Sequence, residues 1–100
     1  MDFSPPLFKK PGLVLRVDLF LKLMGVTKTR MSAKHLCDGG KVILKAKSLK
    51  PSFELEGGES LEIWLPQKQI RLEVLGIPPA PTLAKKDRPR FGLIETLQER

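Results

Sequence analysis

The first hydrophobic pattern in the chain is that of an amphipathic helix. Its apolar positions recur at the i, i+3, i+4 and i+7 spacing, at Val17, Phe20, Leu21 and Met24. This spacing places four apolar side chains on one side, so we expect a helix from Arg16 that packs on a core. Asp18 would lie in its first turn, where a carboxylate complements the helix dipole. Gly25 follows the pattern, and glycine tolerates the left-handed conformation that ends many helices.

A second helix is predicted to run through about Asp38. Thr27 or Thr29 can cap its first turn with a side-chain oxygen, and the residues alone do not decide between them. The inward positions are Ala33, Leu36 and Cys37. Gly39-Gly40 would end the helix. The two patterns together predict a short helix–turn–helix.

After these glycines the period of the pattern changes from that of a helix to that of strands. Residues 42–44 are apolar and predict a short strand, and Lys45 to Lys47 are expected to turn into a second extended piece ending near Pro51. Residues 61–65 (LEIWL) and 69–75 (QIRLEVL) alternate apolar and polar positions. They predict two strands, joined antiparallel by a hairpin loop over Pro66 to Gln69.

The chain ends differ in composition from this central part. One hundred residues suit a single domain. Residues 1–14 contain three prolines and a glycine and predict a loosely held N-terminal arm. Residues 15–76 would form the folded domain. Residues 77–100 are predicted to be a basic, proline-containing C-terminal tail, and we allow for a short terminal helix over 91–100. The expected fold class is α+β, with two short packed helices, a small antiparallel sheet and flexible proline-rich termini.

Charge is distributed unevenly along the chain. The net charge is +7, and residues 1–50 carry eleven basic and three acidic side chains, against seven and eight in residues 51–100. Such asymmetry fits a polyanionic partner, either nucleic acid or an anionic membrane surface. No apolar run approaches the roughly 20 residues that span a bilayer. A single cysteine excludes an internal disulfide, so cytoplasm is the expected location.

The candidate binding residues lie on the predicted helical pair and the first hairpin. They are Arg16, Lys28, Thr29, Arg30, Lys34, Lys41, Lys45 and Lys47. Arginine can fork onto phosphate or stack on a base, which makes Arg30 the strongest candidate. Asp18 would orient Arg16 or support the start of the helix. The alternative is a solvated basic face that contributes only solubility.

The order of these elements, and several residues in it, resemble the S4 RNA-binding domain. The resemblance covers residues 15 to 65 and rests on five separated elements, namely Arg16-Val17-Asp18, Gly25 with Lys28-Thr29-Arg30, Ala33, Gly40-Lys41-Val42 and Gly58-Glu59. Within that family the chain looks most like the small heat-shock and ribosome-associated quality-control proteins that bind the large ribosomal subunit. Two positions depart from the pattern. Lys45-Ala46 stands where the family commonly has Asn-Gly, and Leu19 where relatives often carry lysine.

The resemblance implies a non-catalytic RNA-binding protein of the cytoplasm. Its partners would be structured rRNA and tRNA, bound on a large ribosomal subunit that carries stalled peptidyl-tRNA, and the chain would act as a monomer. No cofactor, metal or catalytic residue is expected. The alternative is the RNA-binding fragment of a pseudouridine synthase or an RNA methyltransferase, which would need a separate catalytic domain. A third hypothesis is a regulator that binds DNA or an anionic membrane through the same positive charge.

Three other residues favour structural roles. His35 and Cys37 are the only histidine and cysteine, too few for a zinc site with four ligands. Cys37 is expected in the core as a packed thiol. Trp64 alternates out of phase with the apolar positions around it, so it would cover the second face of the sheet or, alternatively, offer a stacking platform for a base.

Overall fold

A computed structural model of the chain describes residues 14–78 and 83–99. The fold is α+β, as predicted. The N-terminal arm predicted for residues 1–14 lies outside the described residues except for Val14, so the domain boundary at residue 15 stays a prediction. No helix in the two described ranges combines the length and apolar character needed to cross a membrane.

The predicted helical pair is confirmed, as helix α1 (Val17–Leu23) and helix α2 (Arg30–Asp38). The four apolar residues of the first pattern are buried, as are Ala33 and Cys37 of the second. Thr29, rather than Thr27, caps α2, because its Oγ1 accepts a hydrogen bond of 3.0 Å from the backbone N–H of Ser32. Gly25 follows α1 with a φ of +79°, the left-handed conformation expected after a helix.

Every strand pair within the described residues is antiparallel. Two of the strands form a small separate sheet, β1 (Leu15–Arg16) with β4 (Glu54–Leu55). The other five form the main sheet in the order β3-β2-β5-β6-β7. Their bounds are β2 (Val42–Leu44), β3 (Lys47–Ser48), β5 (Ser60–Leu65), β6 (Lys68–Val74) and β7 (Gly92–Glu99). The predicted loop between β5 and β6 is shorter than expected, because Leu65 already pairs with Lys68.

The core lies between the helical pair and one face of the main sheet. Alternation along β5 and β6 turns every second side chain inward, where Leu61 pairs with Leu72 and Ile63 with Ile70. These four residues and Phe20 are almost completely buried and belong to one hydrophobic cluster with the inward residues of α1 and α2. The apolar patterns of both halves of the chain therefore close a single core.

The predictions for the C-terminal segment are partly wrong. Residues 83–99 contain a 3₁₀ turn (Lys85–Asp87), a short helix α3 (Arg88–Phe91) and strand β7, so residues 92–99 form a strand and not the terminal helix allowed for over 91–100. Strand β7 pairs with β6 along seven positions, from Val74 with Gly92 to Lys68 with Glu99. Satisfying the outer backbone groups of β6 outweighs the helical preference of the segment. Gly92 fits this packing because an added Cβ would lie 2.8 Å from Met24 Cε.

The turn between β2 and β3 has the positive φ angles that glycine normally adopts, although neither of its two residues is glycine. Leu44 pairs with Lys47, which leaves Lys45 and Ala46 as a two-residue turn, and their φ angles are +51° and +69°. Positive φ at both positions characterises the type I′ hairpin turn that Asn-Gly favours. A side chain with a Cβ is strained there by roughly 1–2 kcal/mol per residue. The hairpin therefore forms against a local conformational preference.

The first prediction concerns this strain. Ala46→Gly should stabilise the protein by about 0.5–1 kcal/mol, because removal of the Cβ strain exceeds the added entropy of the unfolded chain. Urea denaturation followed by circular dichroism measures the change. Ala84→Gly is the matched control, since Ala84 is exposed with an ordinary φ of −63°. The control should be neutral or slightly destabilised, and an equal loss in both variants would contradict the assignment of strain.

Candidate nucleic-acid interface

The buried carboxylate of Asp18 holds two of the predicted arginines. Asp18 is 2% exposed, and its Oδ2 lies 3.0 Å from Arg16 Nη2 while its Oδ1 lies 3.3 Å from Arg16 Nε. Arg30 Nε lies 3.5 Å from the same Oδ1. The prediction that Asp18 orients Arg16 is thus confirmed, and the carboxylate also binds the first residue of α2.

The two arginines remain accessible although they share this carboxylate. Their side chains are 44% and 48% exposed for Arg16 and Arg30. Because Asp18 is buried, the two arginines supply donors that its charge requires, and the pairing also restricts where their guanidinium groups lie. A guanidinium has five N–H donors, and Asp18 occupies a minority of them. The remaining donors can reach a phosphate or a base.

The hydroxyl of Thr29 forms its hydrogen bonds within the first turn of α2. Its hydroxyl accepts from the Ser32 backbone and donates to Ser32 Oγ at 3.0 Å. Lys34 lies one turn after Arg30 and 3.7 Å from Asp38 Oδ2, with both side chains about half exposed. Thr29 therefore shapes the helix start, and the positive charge of Lys34 is partly offset by Asp38.

Two clefts flank the turn between α1 and α2, and Thr27 and Lys28 line both. The first cleft, of about 400 Å³, also contains Lys22 and Arg88. The second, of about 500 Å³, lies between α2 and the end of β5 and includes Lys41 in its lining. Lys28 thus adds positive charge to both concave surfaces. We call six of the predicted residues the helical group, because they lie at or next to the two helices or line the second cleft: Arg16, Lys28, Thr29, Arg30, Lys34 and Lys41.

The other two predicted residues belong to the β2–β3 hairpin. Lys45 lies in its turn and Lys47 at the start of β3. The cleft beside Lys45 is lined by Leu44 and by residues 57–60 rather than by the helical group. Next to it, the Glu59 carboxylate accepts hydrogen bonds of 2.8 Å from the N–H groups of Glu56 and Gly57. The hairpin lysines are therefore a second cationic position, separate from the clefts of the helical group.

Arg88 is a residue of this surface that the sequence interpretation missed. Its Nε donates a hydrogen bond of 3.1 Å to the carbonyl oxygen of Leu23, at the end of α1. Its guanidinium lies over Gly25, where an added Cβ would be 2.5 Å from Nη1. The basic residues in the segment 85–90 could have indicated a further cation of the binding surface. The prediction of a C-terminal tail over 77–100 gave no reason to place them beside the helices. Arg88 adds a third cation to the first cleft.

Two further residues have the structural positions predicted for them. Cys37 is buried in the core cluster. Burial, with smaller contributions from the negative charges of Asp18 and Asp38, raises the pKa of the Cys37 thiol to about 11. Trp64 is 39% exposed and pairs with Gln69 on the sheet. Its side chain covers the outer face of β5, opposite the core positions Leu61 and Ile63.

Comparison with known proteins finds no matching family model but several relatives. The RQC P-site tRNA stabilizing factor of Helicobacter pylori is 30% identical over 73 residues, which cover 73% of this chain and 87% of the relative. The factor of the same name from Bacillus subtilis is 30% identical over 60 residues, or 60% and 70% of the two chains.

Two solved structures share the fold. A trimeric structure of Heat Shock Protein 15 from Vibrio cholerae matches with a TM-score of 0.72 and 21% identity, covering 82% of each chain. The solution structure of a hypothetical protein matches with a TM-score of 0.70 and 27% identity, covering 82% of this chain and 98% of that one. The helical pair and its sheet therefore recur in other proteins with little sequence identity.

The second prediction follows from the buried thiol. At pH 8 Cys37 in the folded protein should react with iodoacetamide about a hundredfold more slowly than in the urea-unfolded chain, since the thiolate is the reactive form. Mass spectrometry measures the rate.

The raised pKa of Cys37 stabilises the fold fully below pH 9 and progressively less as the pH rises through 11. Equal rates in the folded and unfolded chain would show that Cys37 is accessible and its pKa ordinary.

Proposed function

The chain belongs to the family of the RQC P-site tRNA stabilizing factors, and we propose that it binds structured RNA on the ribosome. The relatives' name refers to tRNA in the P site, and for this chain we propose the same role in ribosome quality control. The bound RNA would be tRNA and rRNA of the large subunit, in the cytoplasm, and the protein would act as a monomer without catalysing a reaction.

The observation that carries this proposal is the arginine pair held by buried Asp18. Structured RNA has a deep, narrow major groove that side chains read poorly, so proteins recognise its phosphates, 2′-hydroxyls and shape. Two guanidinium groups of restricted position suit that task, because little conformational entropy is lost when they meet a phosphate. The uneven charge of the chain supports electrostatic steering of the RNA toward this surface.

The alternative of an RNA-binding fragment from a pseudouridine synthase or methyltransferase is not favoured. The relatives that the chain matches carry the name of tRNA-stabilizing factors, and the match covers 87% and 70% of their lengths. The cationic surface supports binding, and its positions contribute hydrogen-bond donors rather than a general base.

The third prediction tests the binding surface. Arg30→Ala should weaken binding to large ribosomal subunits carrying P-site tRNA by roughly 1–3 kcal/mol, the scale of one specific contact in nucleic-acid complexes. Binding is measured by titration of the labelled protein at one fixed salt concentration. For the unaltered chain, four or five phosphate contacts predict a slope of about −3 to −4.5 for log K against log salt.

Arg71→Ala is the control for this titration. Arg71 lies on β6 and is paired with Glu95 at 3.2 Å, with 40% of its side chain exposed, so it matches Arg30 in type and exposure but not in place. The control should bind like the unaltered protein. Equal losses in the two variants would mean that diffuse charge, and not the helical group, attracts the RNA, and a salt slope near zero would contradict an electrostatic interaction.

The fourth prediction concerns catalysis. RNA recovered after long incubation with the protein, with S-adenosylmethionine present or absent, should keep its original nucleoside composition. Liquid chromatography with mass spectrometry detects methylation, and chemical labelling detects pseudouridine. The appearance of either modified nucleoside above the level in a protein-free sample would overturn the non-catalytic proposal.

A further inference from the structure

The second cleft, which we call the α2 groove, differs in chemistry from the first. It has a volume of about 500 Å³, within the range of small-molecule sites in proteins. Apolar side chains line it on both sides, Leu36 from α2 and Leu65 and Pro66 from the end of β5 and the hairpin loop. Lys28 and Lys41 add positive charge, and Ser32 and His35 add polar groups along the helix.

The walls of the α2 groove are held together by backbone hydrogen bonds. The N–H of Lys41 donates to the carbonyl of Leu36 at 2.9 Å, and the N–H of Trp64 donates to the carbonyl of Lys41 at 2.8 Å. Lys41 thus connects the end of α2 directly to β5. Because the main chain fixes the distance between the walls, the groove exists before any ligand binds, and little ordering is required on binding.

Apolar walls with cations beside them match a nucleotide. A base presents a flat, weakly polar face that packs on apolar or imidazole groups, while its phosphate requires positive charge. An apolar peptide would leave two lysines without negative partners at the groove. Two members of the helical group, Lys28 and Lys41, line the α2 groove, so the groove is continuous with that group. Charge and continuity therefore favour an RNA nucleotide over a peptide.

We infer that the α2 groove receives one nucleotide that is unstacked from the bound RNA. Its base packs between Leu36 and the Leu65–Pro66 wall beside His35, and its phosphate contacts Lys28 and Lys41. This inference rests on the proposed function, because it requires that the protein binds RNA. It adds a preference for an unpaired nucleotide to the shape and phosphate recognition provided by the arginine pair.

The experiment compares two RNA hairpins that differ in a single base. Both contain one bulged nucleotide, which carries adenine in the first hairpin and is abasic in the second, so phosphate number and charge are equal. The unaltered protein should bind the adenine hairpin about tenfold more tightly, which lies within the range of one base stacking on a protein. Fluorescence anisotropy with labelled hairpins measures both affinities at the same salt concentration.

A variant that fills the groove tests the location. Ser32→Trp places a large side chain in the α2 groove and should reduce the ratio of the two affinities to about one. Ser52→Trp is the matched control, since Ser52 is exposed and lies outside the residues that line the groove. It should keep the tenfold ratio. A ratio that Ser32→Trp leaves unchanged, or that Ser52→Trp abolishes equally, overturns the placement of the base.

A measurement on the unaltered protein tests the same placement even if the tryptophan variants fail to fold. Methyl NMR signals of Leu36 and Leu65 should shift when the adenine hairpin is added and shift much less with the abasic hairpin. Equal binding of both hairpins without these shifts overturns the inference while the proposed function stands. A shift produced by an acidic peptide but not by RNA also overturns it. If neither hairpin nor ribosomal subunits bind at low salt, the proposed function itself fails.

Discussion

The burial of one negative charge, that of Asp18, constrains how β1, α1 and α2 are assembled. A buried carboxylate is costly unless it is paired and hydrogen-bonded, so the elements around it must bring donors to it. Arg16 arrives from β1 and Arg30 from α2, and the Leu19 N–H donates at 2.7 Å. The first N–H groups of α1 bind the carbonyls of Phe53 and Pro51. Among the described residues, no buried side-chain polar atom lacks a partner.

The same constraint couples stability to the binding surface. Each arginine that stabilises the buried carboxylate is held with about half its surface in water, so the group that satisfies the interior also presents donors to a polyanion. The C-terminal segment adds a cation beside the helical pair, because Arg88 donates a hydrogen bond to the carbonyl of Leu23 and lies over Gly25. A cationic surface is thereby built on a rigid helical pair, and its geometry does not depend on long surface side chains alone.

Strain and close approach mark the places where the fold overrides local preference. Lys45 and Ala46 adopt positive φ in the β2–β3 turn because pairing on both sides requires a two-residue connection. Gly92 lets β7 approach Met24 and Leu72 closely, so the last strand completes the sheet on the side away from β2. Strand pairing thus imposes strain on the two turn residues, whereas the absence of a Cβ at Gly92 permits the close approach of β7.

The sequence by itself determined the helical pair, the β5–β6 hairpin and the buried apolar stripe, because spacing, capping and turn chemistry act between residues close in the chain. It also singled out Arg16, Arg30 and the lysines near them as cations. Tertiary structure alone decided that Arg30 shares Asp18 with Arg16, that Arg88 binds Leu23, and that residues 92–99 form a strand. These outcomes depend on partners distant in sequence, 65 residues for Arg88 and Leu23, and such partners meet only when the core closes.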